Sequence, residues 1–332
     1  MQQMRDEMGW QKSLREGFKT ANELLKYLSL PIELGSSKAE HLFKTRVPRG
    51  FAARMQPQNP KDPLLLQVLA GQSELEEGLG FSEDPLAEKD KNVLEGLLHK
   101  YQGRVLLTLT GVCAVNCRYC FRRHFPYQDN NPGKAGWQKV LNYLREDSSI
   151  EEVILSGGDP LLASDALFAY LIKELESISH LKILRIHSRV PIVLPERIDE
   201  SFLSLFESAS ALKKVMVVHA NHAQELNEDV VLGIEKLRKV GFLVLNQSVL
   251  LAGVNDDSAV LIALSKRLFE LGILPYYLHL LDKIKGALHF DLPLETALSL
   301  YRDLQANLPG YLVPRLVREE AGAKFKILQE LS

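Results

Sequence analysis

The 332-residue sequence predicts an α/β protein, a partial (β/α)6 barrel with a helical N-terminal cap and a short C-terminal tail. Two observations carry this. From about residue 104 onward, β-rich apolar runs alternate with stretches of helical periodicity, the pattern of parallel βα units. Polar residues gather directly after those runs, and in βα barrels the reactive groups collect at the C-terminal strand ends. Six such units fit an open or partial barrel better than a closed eightfold one.

In residues 1–95, helical stretches at Lys12–Leu30 and Ala39–Thr45, several prolines and an acidic run at Glu74–Glu77 indicate a helical cap packed on the barrel. The core occupies residues 96–309, with strands predicted at Arg104–Thr110, Val153–Ser156, Ile183–His187, Val215–His219, Leu243–Gln247 and Ile273–His279. Helices such as Ala163–Glu176 and Ser258–Leu271 follow them. A cysteine loop follows the first strand, Ser156-Gly157-Gly158-Asp159 the second, and His187-Ser188-Arg189 the third. His219, Asn221 and His222 end the fourth strand, Asn246 and Gln247 the fifth, and Asp282 follows the sixth. Residues 310–332 form the tail, and no repeat beyond the βα period is present.

With 46% hydrophobic and 25% charged residues and a net charge of −2, the chain has the composition of a soluble protein with one sizeable core. No nucleic-acid partner is implied. The apolar stretches are short, and the N-terminus, Met-Gln-Gln-Met-Arg-Asp-Glu, lacks the basic and apolar regions of a signal peptide. No membrane association and a cytoplasmic location are therefore expected.

Cys113, Cys117 and Cys120 are the only cysteines and share one run, Gly-Val-Cys-Ala-Val-Asn-Cys-Arg-Tyr-Cys-Phe, or Cys-x3-Cys-x2-Cys. Such clustering argues for a metal in a reducing compartment. Three thiolates on a tight loop can ligate three irons of a cubane cluster and leave the fourth open to a small molecule. The alternatives are three unrelated thiols or a structural zinc site completed by His124, although a zinc site usually draws its ligands as two knuckles from separate segments.

After the second strand, the paired glycines of Ser156-Gly157-Gly158-Asp159 allow close approach of the backbone to a ligand, and Asp159 offers a carboxylate to an amine. By itself the run reads equally as a plain turn. Lys100, Tyr101 and Arg104 before the first strand form either a solvated basic edge or a phosphate cradle built on charge-assisted hydrogen bonds. Arg122 and Arg123 follow the last cysteine, and arginine suits bidentate capture of a carboxylate.

The cysteine triplet with an aromatic before its last thiol resembles the radical S-adenosylmethionine superfamily. That resemblance implies a 4Fe–4S cluster whose open iron is chelated by S-adenosylmethionine, which one electron cleaves to a 5′-deoxyadenosyl radical. Four further runs extend it: Leu-His-Lys-Tyr-Gln-Gly-Arg, Cys-Arg-Tyr-Cys-Phe-Arg-Arg-His-Phe, Ile-His-Ser-Arg-Val-Pro-Ile-Val-Leu-Pro and Leu-Asn-Gln-Ser-Val-Leu-Leu-Ala-Gly-Val-Asn-Asp. Together with Leu-Ser-Gly-Gly-Asp-Pro-Leu they make the chain similar to the lysine 2,3-aminomutases over about residues 40–326. Those enzymes add pyridoxal phosphate and move the amino group of L-lysine from C2 to C3, the radical taking the unactivated C3 hydrogen and the pyridoxal group carrying the nitrogen.

Position by position, the resemblance implies that Arg122 holds the substrate carboxylate and that Asp282 binds the lysine ε-ammonium. It places Lys100, Tyr101 and Arg104 at pyridoxal phosphate and Gln247 near the adenosyl group. Ser156, Gly157, Gly158, Asp159, His187, Ser188 and His219 fall to S-adenosylmethionine. Of the two candidates for the pyridoxal lysine, Lys324 and Lys326, the second is favoured, because family members carry an acidic residue seven positions earlier and Glu319 stands there. The glycine run that marks this lysine in free-lysine enzymes is reduced to Gly322.

The runs Tyr-Tyr-Leu-His-Leu-Leu-Asp-Lys and Val-Pro-Arg-Leu-Val-Arg-Glu resemble the branch that makes (R)-β-lysine for attachment to elongation factor P by a separate lysyl ligase. The expected partners are thus lysine, an electron donor, and a pathway link to the factor and its ligase. A free-lysine aminomutase for catabolism or β-lysine synthesis shares all the motifs, and genetic neighbourhood separates the two. A non-catalytic iron–sulfur electron carrier would hold the cluster without cleaving S-adenosylmethionine. A zinc-binding interaction module would be colourless.

Overall fold

The computed structural model describes residues 9–88, 92–127, 132–207 and 211–329. Among these described residues ten strands form one sheet whose spatial order follows the chain. A hairpin of β1 (Asn92–Leu94) and β2 (Leu97–Tyr101) lies antiparallel against β3 (Arg104–Thr110). Then β4 (Glu152–Gly157), β5 (Ile183–His187), β6 (Lys213–Val218), β7 (Phe242–Val249), β8 (Leu274–His279) and β9 (Arg315–Arg318) continue parallel to β3. Finally β10 (Ile327–Leu328) turns back on β9.

The six predicted strands are β3 to β8, and β3 and β5 keep their predicted bounds. The segment read as a tail adds a seventh parallel strand. With four residues, Arg-Leu-Val-Arg, β9 is too short to display an alternation of its own. Lys100 and Tyr101, read as an edge, belong to β2.

The cap contains α1 (Gly9–Arg15), α2 (Ala21–Tyr27), α3 (Ser37–Leu42), α4 (Arg49–Ala52) and α5 (Pro63–Leu66). The single helix expected over Lys12–Leu30 is broken. Phe18 leaves the helix to exchange backbone hydrogen bonds with Val47, at 2.8 and 3.0 Å, and the Thr20 hydroxyl caps α2 at the Glu23 N–H.

The crossovers are α6 (Gly133–Glu146), α7 (Asp165–Glu176), α8 (Val190–Val193), α9 (Glu200–Glu207), α10 (Glu228–Lys239), α11 (Ser258–Glu270) and, ahead of β9, α12 (Leu294–Asn307). In α7 the buried residues Phe168, Leu171, Ile172 and Leu175 recur at helical spacing, and Phe168 meets Phe202 of α9 edge to face at 5.5 Å. Covered on both faces, β4 buries every residue from Val153 to Gly157. Along β7, Phe242, Val244, Asn246 and Ser248 are buried, while Gln247 and Val249 turn to an internal cavity. No helix among the described residues is long and apolar enough to cross a membrane.

The cap is joined to the barrel by charge. Glu74, from the run read as an acidic segment, is buried and accepts from both Arg118, at 2.7 Å, and Arg123, at 2.8 Å. Glu74→Gln leaves two guanidinium groups without their counter-charge, and we expect a loss of about 3–5 kcal/mol in urea unfolding. A loss near zero would show that the clamp does not hold cap and barrel together.

Candidate active site

A cavity of about 740 Å³ runs along the inner face of the sheet to the C-terminal strand ends, flanked by β2 and by the β9–β10 hairpin. Most candidates from the sequence line it: the three cysteines, Lys100, Tyr101, Arg104, Arg122, the Ser156–Asp159 run, His187, Ser188, His219, Gln247, Asp282, Glu319 and Lys326; Arg123, His124 and Lys324 do not.

The cysteine loop has no regular structure and is held from outside. Arg46 donates to the Cys113 carbonyl at 2.9 Å, and the Asn116 and Arg118 amides donate to the carbonyls of Arg46 and Gln67. Burial pushes the Cys120 thiol up to about 11 and raises Cys113 too, and each is raised further by the charges of the other thiols. Such mutual repulsion is relieved when iron replaces the protons, so the all-sulfur donor set fits a cluster. His124, the fourth ligand of the zinc alternative, does not line the cavity beside the three thiols.

The glycine run after β4 packs against this loop and also lines the cavity. Gly157 has φ of +126°, and a Cβ on Gly158 would lie 2.6 Å from the Val112 carbonyl oxygen. The amides of Gly158 and Asp159 instead donate to the carbonyls of Thr110 and Val112 at 2.7 and 2.8 Å. The expectation that Asp159 accepts from a ligand amine is corrected by its contacts. One oxygen takes the Ser188 hydroxyl at 2.7 Å and the Leu161 amide; the other takes the amides of Arg189, at 2.8 Å, and Val190. All four lone-pair positions are filled, so Asp159 and Ser188 clasp the ends of β4 and β5 together. Burial raises the Asp159 carboxyl to about 6, against the pull of those donors.

At the opposite wall the β9–β10 hairpin pairs Arg318 with Ile327, and one step further along that register Glu319 faces Lys326. This is the physical content of the seven-residue spacing. Glu319 is in ion-pair contact with Lys326 and also accepts from Lys100 at 2.8 Å and from the Tyr101 hydroxyl at 3.0 Å. Burial alone would raise its carboxyl, but the charges of Lys326 and Lys100 hold it well below the usual range. The same burial and the Glu319 charge raise the Tyr101 phenol. Arg104 covers the Tyr101 ring at 4.6 Å. Lys324 is exposed and does not line the cavity. Asp282, nearby, is pushed up to about 7 by burial and then by Glu319, with Lys326 opposing.

Arg122 is buried, and its Nε and Nη2 grip Glu88 at 2.6 and 2.7 Å while Nη1 reaches the Ser156 hydroxyl at 3.2 Å. An incoming carboxylate would meet the end-on edge of the guanidinium, because the side edge is taken. The buried Nε2 of His187 has no partner, and burial followed by the charge of Arg185 lowers the ring's pKa well below the usual histidine range. His219 Nε2 pairs with the Tyr119 hydroxyl at 2.9 Å. Sequence reasoning missed Glu88, Arg189, Gln67, Glu225 and Tyr127, whose hydroxyl donates to the Gly157 carbonyl at 2.8 Å. Of these only Arg189 carried a signal, its place directly after a strand.

A thiol loop after the first parallel strand and an open parallel sheet define a radical S-adenosylmethionine enzyme, and residues 107–264 match the model of the Radical SAM superfamily. That family implies a 4Fe–4S cluster and S-adenosylmethionine. The chain is 49% identical over 327 residues to an L-lysine 2,3-aminomutase of Haemophilus influenzae, covering 98% of this chain and 96% of the relative. It is 48% identical to one of Escherichia coli, covering 96% and 93%, and 34% identical to one of Clostridium subterminale, covering 96% and 76%. The chain belongs to the L-lysine 2,3-aminomutase family.

Asp282 yields a test that needs no ligand. Its folded-state pKa of about 7 exceeds the ordinary 3.8, so the folded chain holds this proton more tightly and loses stability as pH rises between those values. Asp282→Asn removes that loss. The variant should exceed wild type in unfolding free energy by on the order of 2–4 kcal/mol near pH 8, with the gain gone near pH 4. A pH-independent difference would contradict the shift.

Proposed function

We propose that this chain converts L-α-lysine to (R)-β-lysine, using the cluster, S-adenosylmethionine and pyridoxal phosphate, for the modification of elongation factor P. The observation that carries the reading is the Lys326–Glu319 pair on the same cavity as the three thiols. An amine for imine formation and three candidate iron ligands then share one cavity. The branch reading is consistent with the higher identity to the Haemophilus influenzae and Escherichia coli relatives, 49% and 48%, than to the Clostridium subterminale one, 34%. Tyr276, Tyr277, His279 and Asp282, from the run that resembles that branch, all line the cavity.

When bound, the cluster with S-adenosylmethionine supplies hydrogen abstraction from carbon, and pyridoxal phosphate supplies a carbonyl that carries the migrating nitrogen. In this reading Cys113, Cys117 and Cys120 hold the iron. Gln247, His187 and His219 border S-adenosylmethionine, with His187 offering its unpartnered Nε2. Lys100, Tyr101 and Arg104 form the phosphate cradle, and their cations and phenol suit a dianion once Glu319 yields its two contacts. Lys326 would hold pyridoxal phosphate through its side-chain amine, which is in contact with Glu319. Arg122 presents its end-on edge to the substrate carboxylate, and ionised Asp282 receives the ε-ammonium.

Anaerobic reconstitution with iron, sulfide, S-adenosylmethionine, pyridoxal phosphate and a reductant should give about four irons per chain and turn lysine into β-lysine. Replacing any of the three cysteines by Ala should abolish both iron retention and turnover; full turnover in all three variants would reject the ligand assignment. Borohydride reduction of the holoenzyme followed by peptide mapping should find the pyridoxyl group on Lys326, and a label on Lys324 would move the register by two residues. Asp282→Asn should weaken lysine binding by about 2–5 kcal/mol, the range for removing one member of a buried charge pair. An unchanged affinity would remove Asp282 from the substrate site. Attachment of the product to elongation factor P by its ligase tests the pathway assignment, and a product the ligase ignores would point to free β-lysine as the end product.

A further inference from the structure

We propose that Arg189 raises the reduction potential of the iron–sulfur cluster by donating a hydrogen bond to the thiolate of Cys117. The inference rests on the assignment of Cys117 as an iron ligand. Arg189 follows β5, is buried, and places Nη1 2.8 Å from the Cys117 sulfur. Its Nη2 donates to Gln67 at 2.7 Å and to Glu225 at 3.0 Å, which fixes the plane of the fork. Glu225 cannot swing away, because its other oxygen accepts the amides of Asn221 and His222 at 2.8 and 3.1 Å. The guanidinium also lies over the rings of Phe51 and Tyr119, at 5.6 and 5.7 Å.

The other cations around the loop are engaged elsewhere. Arg118 and Arg123 are paired with Glu74, and Arg122 with Glu88. Among the described residues Arg189 is the side-chain cation that hydrogen-bonds a cysteine sulfur. Reduction adds one electron, delivered by a one-electron donor such as dithionite, and the added charge spreads onto the ligating sulfurs. A cationic donor held against one of them stabilises the reduced form more than the oxidised form, and the buried setting leaves that effect little screened. Arg189 is thus a positioning residue for electron entry. It touches a ligand of the cluster, and its expected mark is on a potential before it is on a rate.

The test uses the full chain reconstituted anaerobically, with iron content and an EPR-monitored redox titration as readouts. Arg189→Met alone would strand the Glu225 charge, so it is combined with Glu225→Gln and compared with Glu225→Gln alone. We expect four irons in both proteins and a more negative midpoint potential in the double variant. Arg189→Lys, which keeps the charge and gives up the fork, should fall between. Equal potentials in the four-iron double and single variants would overturn the proposal while leaving Cys117 as a ligand. Folded Arg189 variants that all fail to retain iron would make the residue a structural anchor and overturn it too. A wild-type chain that binds no four-iron cluster would remove the ligand assignment itself, and the proposal with it.

Discussion

A loop without secondary structure carries all three thiols, and it is fixed by buried ion pairs reaching in from other segments. Glu74 joins Arg118 and Arg123, Glu225 joins Arg189, and Glu88 joins Arg122. Four arginines between residues 118 and 189 thus find their counter-charges on three glutamates, two of them in the N-terminal cap. Burying any of these charges alone would cost several kcal/mol, so the pairs made by Glu74 and Glu88 can form only when cap and barrel are in register. The cap is therefore part of the site. It sets where the cysteines stand as firmly as β3, which leads into them.

The opposite wall uses the same physics to different effect. Lys326, Lys100, Glu319 and Asp282 bring two cations and two carboxyl groups together, but the pairing is unequal. Glu319 takes both ammonium contacts and is held ionised, while Asp282 is left to burial and is pushed up to about 7. A carboxyl group in that condition is poised to ionise when a third cation arrives. Two neighbouring acids of similar chemistry are thereby given different tasks by their surroundings, as buried acid pairs at functional sites commonly are.

The barrel was legible because its signals are local. Each of the six predicted parallel strands is a short apolar run, and β4 shows this in its unbroken burial from Val153 to Gly157. The site candidates were legible for the same reason, since the chain writes them at strand ends. What such a rule leaves open is direction. Asp159 stands at a strand end and yet spends its carboxylate on Ser188 and three amides, and Gly158 makes room for the protein's own Val112. A strand-end position brings a residue to the cavity, but its remaining contacts decide whether it faces a ligand. The two-helix break at Phe18 and the strand at Arg315–Arg318 escaped notice because both depend on partners far along the chain, Val47 and Tyr277.

That dependence explains which functional residues stayed hidden. Glu88 meets Arg122 across 34 positions, and Glu74 meets Arg118 across 44. An acidic residue in a polar segment has the same local appearance whether it is solvated or buried against an arginine. The difference is made by tertiary closure, and the two segments that close the cavity, the cap and the C-terminal hairpin, are those with the weakest periodicity. In this architecture the regular strands hold the site in place, while the irregular ends of the chain supply the charges that tune it. Arg189 lies where these contributions meet, with its backbone amide on the β4–β5 clasp through Asp159 and its fork shared between Gln67 of the cap and Cys117 of the loop.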